Sequence, residues 1–367
     1  MIIRIRIDLK GSDYLKKISI FKILFTALIF LFSFLLIFKA QLCQKAVANA
    51  IILCGKVLIP SLFPFSVCVF FIMQLKIEEK LKFLKKFTRK TFKTDIDGFL
   101  IFIFSLIGGY PIGAKLLNEA CEENKLSAKN GGKMLNFCIN AGPAFIVSAI
   151  GTGILRSKKL GFILLFSHIL SSFIIFLFYR LRNTDFAFSK TTKKSSPNIA
   201  DIFVLAVTKS SGVALNICSF VILFSAVTAY IEFYSQKIQF LKPVLFLIEV
   251  TFSVTKTNNI YLISFLLGFG GICVWFQIFS LTKTLRINPL VFSLIRIIHG
   301  LLSSILTYSI LKIFPINIPV FSNNRFILFT SSVSSTELSI ALLVLSSVFL
   351  ISLTNRQKNT KILEELI

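Results

Sequence analysis

The sequence predicts an all-α polytopic membrane protein, arranged as an inverted repeat with two re-entrant hairpins and broken transmembrane helices. Three observations carry that prediction. The 367 residues are 55% hydrophobic, with 42 Phe, and several apolar runs exceed the roughly 18 residues that mark a membrane span. Lys and Arg gather at the ends of those runs, as in cytoplasmic loops. Two glycine pairs, Gly108-Gly109 and Gly270-Gly271, interrupt apolar sequence 162 residues apart. Unpaired backbone groups are costly in lipid, so a broken helix persists only where protein or a water-filled cavity receives it. Breaks at matching places in two halves point to a transporter binding site.

Residues 1–45 form an N-terminal segment and a first helix. The apolar run 18–38 follows Arg4, Arg6, Lys10, Lys16 and Lys17. It is longer than a signal-peptide core, and Phe38-Lys39-Ala40-Gln41 does not suit cleavage, so it reads as a retained helix whose N-terminus is cytoplasmic.

The first repeat covers 46–182. Its span 46–74 carries Pro60 and Pro64, each lacking a backbone donor, which predicts a kink or local unwinding. Residues 76–97 are basic, with Leu81, Phe83, Leu84 and Phe87 at helical spacing, as in a helix lying on the membrane surface. The run 99–117 holds the first glycine pair. Its arms are each about half a bilayer long, and Lys115, Lys125, Lys129 and Lys133 follow, so a re-entrant hairpin is expected. Residues 134–155 cross, broken at Asn140-Ala141-Gly142-Pro143, and 160–179 return.

A basic linker, 183–202, separates this repeat from a second over 203–355, with a polar tail at 356–367. Residues 46–67 align with 206–227 at an offset of 160. The glycine pairs align at 162, and Gly142 with Gly300 at 158. On this alignment Gly270-Gly271 is the second hairpin tip, and Ile298-His299-Gly300 matches the broken Asn140-Ala-Gly142. Three crossings per half is an odd number, which inverts the second half and would place Lys237, Lys242, Lys283 and Arg286 outside. The polar stretch 316–338 reads as a loop on one face or the other.

The net charge of +25 has a topological explanation, so a nucleic-acid partner is excluded. Cys43, Cys54, Cys68, Cys121, Cys138, Cys218 and Cys273 form no Cys-x-x-Cys pair, and with His168 and His299 as the two histidines neither a metal nor a cofactor is expected. No Gly-x-Ser-x-Gly, His-Glu-x-x-His or paired intramembrane carboxylates occur, so an enzyme is not expected.

Glu249 lies deep in an apolar run, where a charge costs about 2.5–3.5 kcal/mol and marks a functional position. It binds a coupling proton or cation, or holds open the loop carrying Thr251, or caps a neighbouring half-helix N-terminus. The first tip, Gly108, Gly109, Tyr110, Pro111 and Gly113, opens a half-helix whose N–H groups and positive dipole end suit an anion. Lys115, one turn on, either adds a charge or snorkels to the interface. Asn140, Gly142 and Pro143 free carbonyls for a polar ligand, or form a proline kink. Gly270, Gly271 and Gln277 make the counterpart tip. Trp275 either stacks on a flat ring or packs. The histidines are either structural or coupled to proton movement.

Pro60-Ser-Leu-Phe-Pro-Phe65, Gly109-Tyr-Pro-Ile-Gly-Ala-Lys115, Glu123-Asn-Lys-Leu-Ser127, Asn140-Ala-Gly-Pro-Ala-Phe145 and Gly268-Phe-Gly-Gly271 with Gln277 resemble the YlbJ-type sporulation integral membrane proteins. That family carries a nucleoside-recognition gate domain similar to concentrative nucleoside transporters. The resemblance, over about residues 18–353, implies two re-entrant hairpins, two broken helices and a multi-pass place in the cell membrane. It also implies a role in spore cortex formation and movement of dipicolinate, a flat dianion, across the outer forespore membrane. Trp275-Phe276, and the lack of a glycine after Glu249-Val-Thr251, depart from the family pattern. The expected partners are the lipid bilayer, a small organic anion and a coupling proton or cation. A nucleoside permease or a non-transporting scaffold for spore assembly are the alternatives.

Overall fold

The computed structural model describes residues 23–24, 26–27, 29–75, 81–182, 186–189 and 198–316. Among them every regular element is helical, and an isolated bridge joins Thr94 to Phe186. Residues 18–22, 76–80, most of the linker, 317–338 and the tail 356–367 lie outside the described residues. Five described helices are long and apolar enough to cross a membrane: Ala40–Gln74, Lys158–Leu181, Ile199–Ser235, Ile260–Leu281 and Pro289–Ile313.

Helix α1 (Ile29–Phe38) leads into α2 (Ala40–Leu53), a π-helical stretch Cys54–Leu58 and α3 (Ile59–Gln74). Pro60 stands at the start of α3 and Pro64 inside it. The expected kink takes the form of the π-turn just ahead of Pro60. A π-turn is the usual way for a helix to carry such a disturbance without unwinding. After α4 (Lys85–Phe92), a short surface helix, come α5 (Ile96–Gly108) and α6 (Ile112–Glu122). These two lie against each other, joined by Gly109-Tyr110-Pro111. Helix α7 (Ala128–Leu135) ends in an unwound segment, 136–142, followed from Pro143 by π-helical Ala144–Ile154 and by α8 (Lys158–Leu181).

Helix α9 (Ile199–Ser235) starts inside the expected linker. It runs antiparallel to α2–α3: Phe71 meets Phe203 at 6.2 Å near one end, and the Tyr230 hydroxyl reaches the Leu35 carbonyl, 2.5 Å, near the other. These are the segments paired by the offset of 160. Then α10 (Leu241–Ile248) and α11 (Val250–Thr255) fold against each other about Glu249. Helices α12 (Ile260–Phe269) and α13 (Gly271–Leu281) meet at Gly270, and α14 (Pro289–Ile313) follows.

Three expectations are corrected. The second chain reversal is α10–α11, and Gly270-Gly271 interrupts a helix pair that does not close on itself. Helix α12 is drawn along α14, where Gly268 sits on Gly300 and the Ser264 hydroxyl shares hydrogen bonds of 2.8 Å with Ser303 and Thr307. Helix α13 instead packs on α9, α10 and α6. Second, α14 passes unbroken through His299-Gly300; no proline follows Gly300, and its ladder survives. Third, Lys283 and Arg286 do not stand opposite the other basic loops. The Arg286 N–H donates to the Ala128 carbonyl (3.0 Å) and the Thr284 N–H to Asn118 Oδ1 (3.0 Å), which joins the 282–288 loop to the α6–α7 turn beside Lys125 and Lys129.

The contacts sort the loops into two ends. One holds the bridged segments 93–95 and 186–189 and the two interlocked basic loops. The other holds Lys39 over the Phe233 ring and the Lys256–Glu232 ion pair at 2.6 Å. Helices α5–α6 start and finish at the first end; α10–α11 start and finish at the second.

Candidate site at the helix breaks

Gly109 ends α5 at φ +76°, and a Cβ there would lie 2.7 Å from the Gly142 backbone nitrogen. Only glycine lets this tip press onto the unwound segment. Gly113, the second residue of α6, leaves room for the Cys138 carbonyl, and Gly108 packs on Ile112. Pro111 stands as the N-cap of α6. Tyr110 is buried and donates its hydroxyl to the Leu267 carbonyl on α12, so the first tip meets the second break.

An unwound segment needs partners for its backbone groups, and four side chains, from α8, α14 and the segment itself, supply them. Arg296 of α14 donates from Nη1 to the Ile139 carbonyl (2.8 Å) and from Nη2 to the Asn136 carbonyl. Ser172 of α8 donates to the Phe137 carbonyl at 2.8 Å. Asn140 Nδ2 reaches the same carbonyl at 3.0 Å and Ser105 Oγ of α5 at 3.1 Å. The Ala141 N–H donates to His168 Nε2 at 2.9 Å. That bond assigns the His168 proton to Nδ1. His168 stacks on His299, ring centroids 4.6 Å apart, and His299 Nε2 lies 3.3 Å from the His168 carbonyl.

Glu249 turns the α10–α11 pair in an extended conformation. Its two carboxylate oxygens accept from the Thr251 N–H (3.0 Å) and the Phe252 N–H (2.5 Å), which caps α11. Gly271 rests beside the Ile248 carbonyl and Val250 nitrogen that flank Glu249. Each chain reversal therefore seats on a break: α5–α6 on Gly142, and α10–α11 on Gly271.

Between them lies a small pocket of about 30 Å³, lined by Tyr110, Gly142, Glu249, Thr251 and Gln277 with apolar residues of α3, α9 and α13. That is room for a water or two. A second cavity of about 310 Å³ shares Val221, Glu249 and Thr251 with it and runs past Asn49, Ser225, Thr228 and Thr255 to Glu232 and Lys256. Glu249 stands at the junction.

The structure thus brings five expected residues, from four separate motifs, to one pocket. Lys115 does not line it: it pairs with Glu119 at 3.6 Å, which also holds Lys209 at 2.8 Å. Asn140 and Pro143 shape the segment from behind. Trp275 packs, its Nε1 donating to the Phe269 carbonyl at 2.9 Å. Among the described residues no three His, Cys, Asp or Glu side chains gather as metal ligands. Sequence reasoning missed Arg296, although a guanidinium inside the apolar run 290–302 carries the same signal that singled out Glu249.

The fold and these breaks define an all-helical integral membrane protein whose chain reversals and helix interruptions converge on one buried pocket. The chain is similar to the sporulation integral membrane protein YlbJ of Bacillus subtilis (strain 168), being 22% identical over 297 residues, 68% of this chain and 73% of that relative. This similarity supports the family resemblance carried by the motifs. No family model and no solved structure matches the chain.

Proposed function

We propose that this protein is secondary-transporter-like, acts in spore formation, and moves dipicolinate or a similar small organic anion across the outer forespore membrane from the mother cell. The observation that carries the reading is the convergence of both chain reversals, the first break and α13 on the pocket at Glu249. In this reading the halves form an inverted repeat. Helices α2–α3 pair with α9, α5–α6 with α10–α11 as re-entrant hairpins, α7 and its unwound continuation with α12–α13, and α8 with α14. The pocket, together with the cavity of about 310 Å³ that joins it at Glu249, is then the midplane site that such repeats enclose.

The Thr251 hydroxyl and the Gln277 amide, which line the pocket, offer an anion hydrogen-bond donors. An ionised Glu249 would repel it. Anion entry therefore goes with protonation of Glu249, which the larger cavity connects to the Glu232–Lys256 end, and the proton is the coupling ion. No catalytic step is assigned.

Proteoliposomes with an imposed pH gradient test this. Wild type should take up dipicolinate in proportion to the gradient, and Glu249→Gln should take it up without regard to it. Equal flux in empty vesicles, wild type and Glu249→Gln overturns the proposal. Thermal stabilisation by nucleosides and not by dipicolinate would turn the reading to a nucleoside permease, since a ligand stabilises the state it binds.

A further inference from the structure

We infer that Arg296 is a tethered cation: its guanidinium fills the carbonyl cradle opened by the break after α7, so no free inorganic cation binds there. Where a helix stops inside a membrane protein, its last carbonyls lose their partners and the end carries partial negative charge. In transporters with broken helices such carbonyls coordinate sodium or protons. Here the position is already taken. Arg296 is fully buried, and its two terminal nitrogens hold the carbonyls of Asn136 and Ile139. The planar fork of a guanidinium can hold two such oxygens at once, whereas a lysine ammonium is a point charge. Among the described residues Arg296 forms no ion pair with a carboxylate. Its charge is answered by the carbonyl oxygens and the α7 terminus. Because Arg296 comes from α14, the second half of the chain holds the first half's break in shape. Arg296 is a positioning residue, and this inference stands whatever solute the pocket accepts.

The test uses the full chain purified in detergent, with thermal unfolding and amide hydrogen exchange over 136–142 measured in sodium, potassium and choline chloride at equal ionic strength. Wild type should show the same protection of 136–142 in all three. Arg296→Ala should lower Tm by about 5–10 °C, as expected when a buried charged contact is broken. It should also speed exchange over 136–142, with part of the protection restored by millimolar guanidinium. Arg296→Lys, which keeps the charge and one of the two bonds, should fall between them and serves if the alanine variant does not fold. Slower exchange of wild-type 136–142 in sodium or potassium than in choline would show a free cation in the cradle and overturn the inference. Wild-type protection of 136–142 in Arg296→Ala, or in Arg296→Lys if only that variant folds, would overturn it as well.

Discussion

At the first break seven residues, 136–142, leave the helix, and side chains from α8 and α14 take up their backbone groups. At the second break Gly270 alone leaves it, in a left-handed conformation at φ +84°, and the helices continue on either side. The difference follows from one residue. Pro143 has no N–H and pushes Gly142 away from helical geometry; no proline follows Gly270-Gly271 within α13. A glycine pair by itself bends or permits close approach, and it takes a proline to open a stretch of backbone. The polar side chains are distributed accordingly. In the first half they surround the break, and the hairpin tip presents a tyrosine. In the second half the break is apolar, and the hairpin tip presents Glu249.

Substitutions at the glycines should separate the halves most strongly. Gly109→Ala combines left-handed strain with a Cβ 2.7 Å from the Gly142 nitrogen, backbone against backbone, and should cost about 3–4 kcal/mol. At Gly270 a Cβ finds its nearest neighbour at 3.6 Å, so Gly270→Ala should cost about 1–2 kcal/mol from strain alone. Thermal unfolding in detergent measures both. Equal losses would mean that the first tip does not depend on the close approach.

The stacked histidines give the next contrast. His168→Phe leaves the Ala141 N–H buried without an acceptor and should cost about 1–3 kcal/mol. His299→Phe gives up a 3.3 Å contact and should cost less than about 1 kcal/mol. A larger loss at His299 would reverse the view that the first break makes the greater demand on side chains.

The smallest effect belongs to the loop that closes the first half. Burial raises the Asp95 pKa, but the bond from Arg89 Nε (2.8 Å), the Phe188 N–H (3.0 Å) and the charge of Lys85 outweigh it and hold the carboxyl below its ordinary 3.8. A folded-state pKa below the unfolded one contributes stability that is fully present above about pH 4. That contribution fades as pH falls through the folded value. Arg89 is mostly exposed, so Asp95→Asn should cost less than about 1 kcal/mol at pH 7. The gap from wild type should narrow as the pH is lowered below 4, and a gap that widened on acidification would rule out this role.

Much of the fold was legible because membrane solvation leaves local marks. The spans over 46–74 and 160–179, the reversal at Gly109-Tyr-Pro111 and the break at Asn140-Pro143 were within reach of hydropathy and proline placement, and one internal offset linked the segments of α2–α3 and α9. The same offset misled further on. Past α9 the second half is shorter between equivalent points, and its reversal at Glu249 has neither glycine nor proline to announce it. A second offset was present but unread: His168-Ile-Leu-Ser-Ser172 on α8 and His299-Gly-Leu-Leu-Ser-Ser304 on α14 recur 131 residues apart at the histidines, whose rings stack. Of the site, Tyr110, Gly142, Glu249, Thr251 and Gln277 were found by type and setting. Lys115 drew attention for its charge, and its true partner, Glu119, lay a single helical turn away.

By itself the sequence determined that this chain lives in a bilayer, and it marked the interruptions that carry a proline or a glycine pair. Those properties depend on the transfer of each segment into lipid and on the backbone chemistry of proline and glycine, both of which act locally. Only the tertiary structure decided which interruption reverses the chain, which loops share an end, and that Arg296 clamps a break more than 150 residues away. These depend on close approach and hydrogen bonding between distant segments, where a glycine against a glycine or a guanidinium against two carbonyls outweighs any local preference.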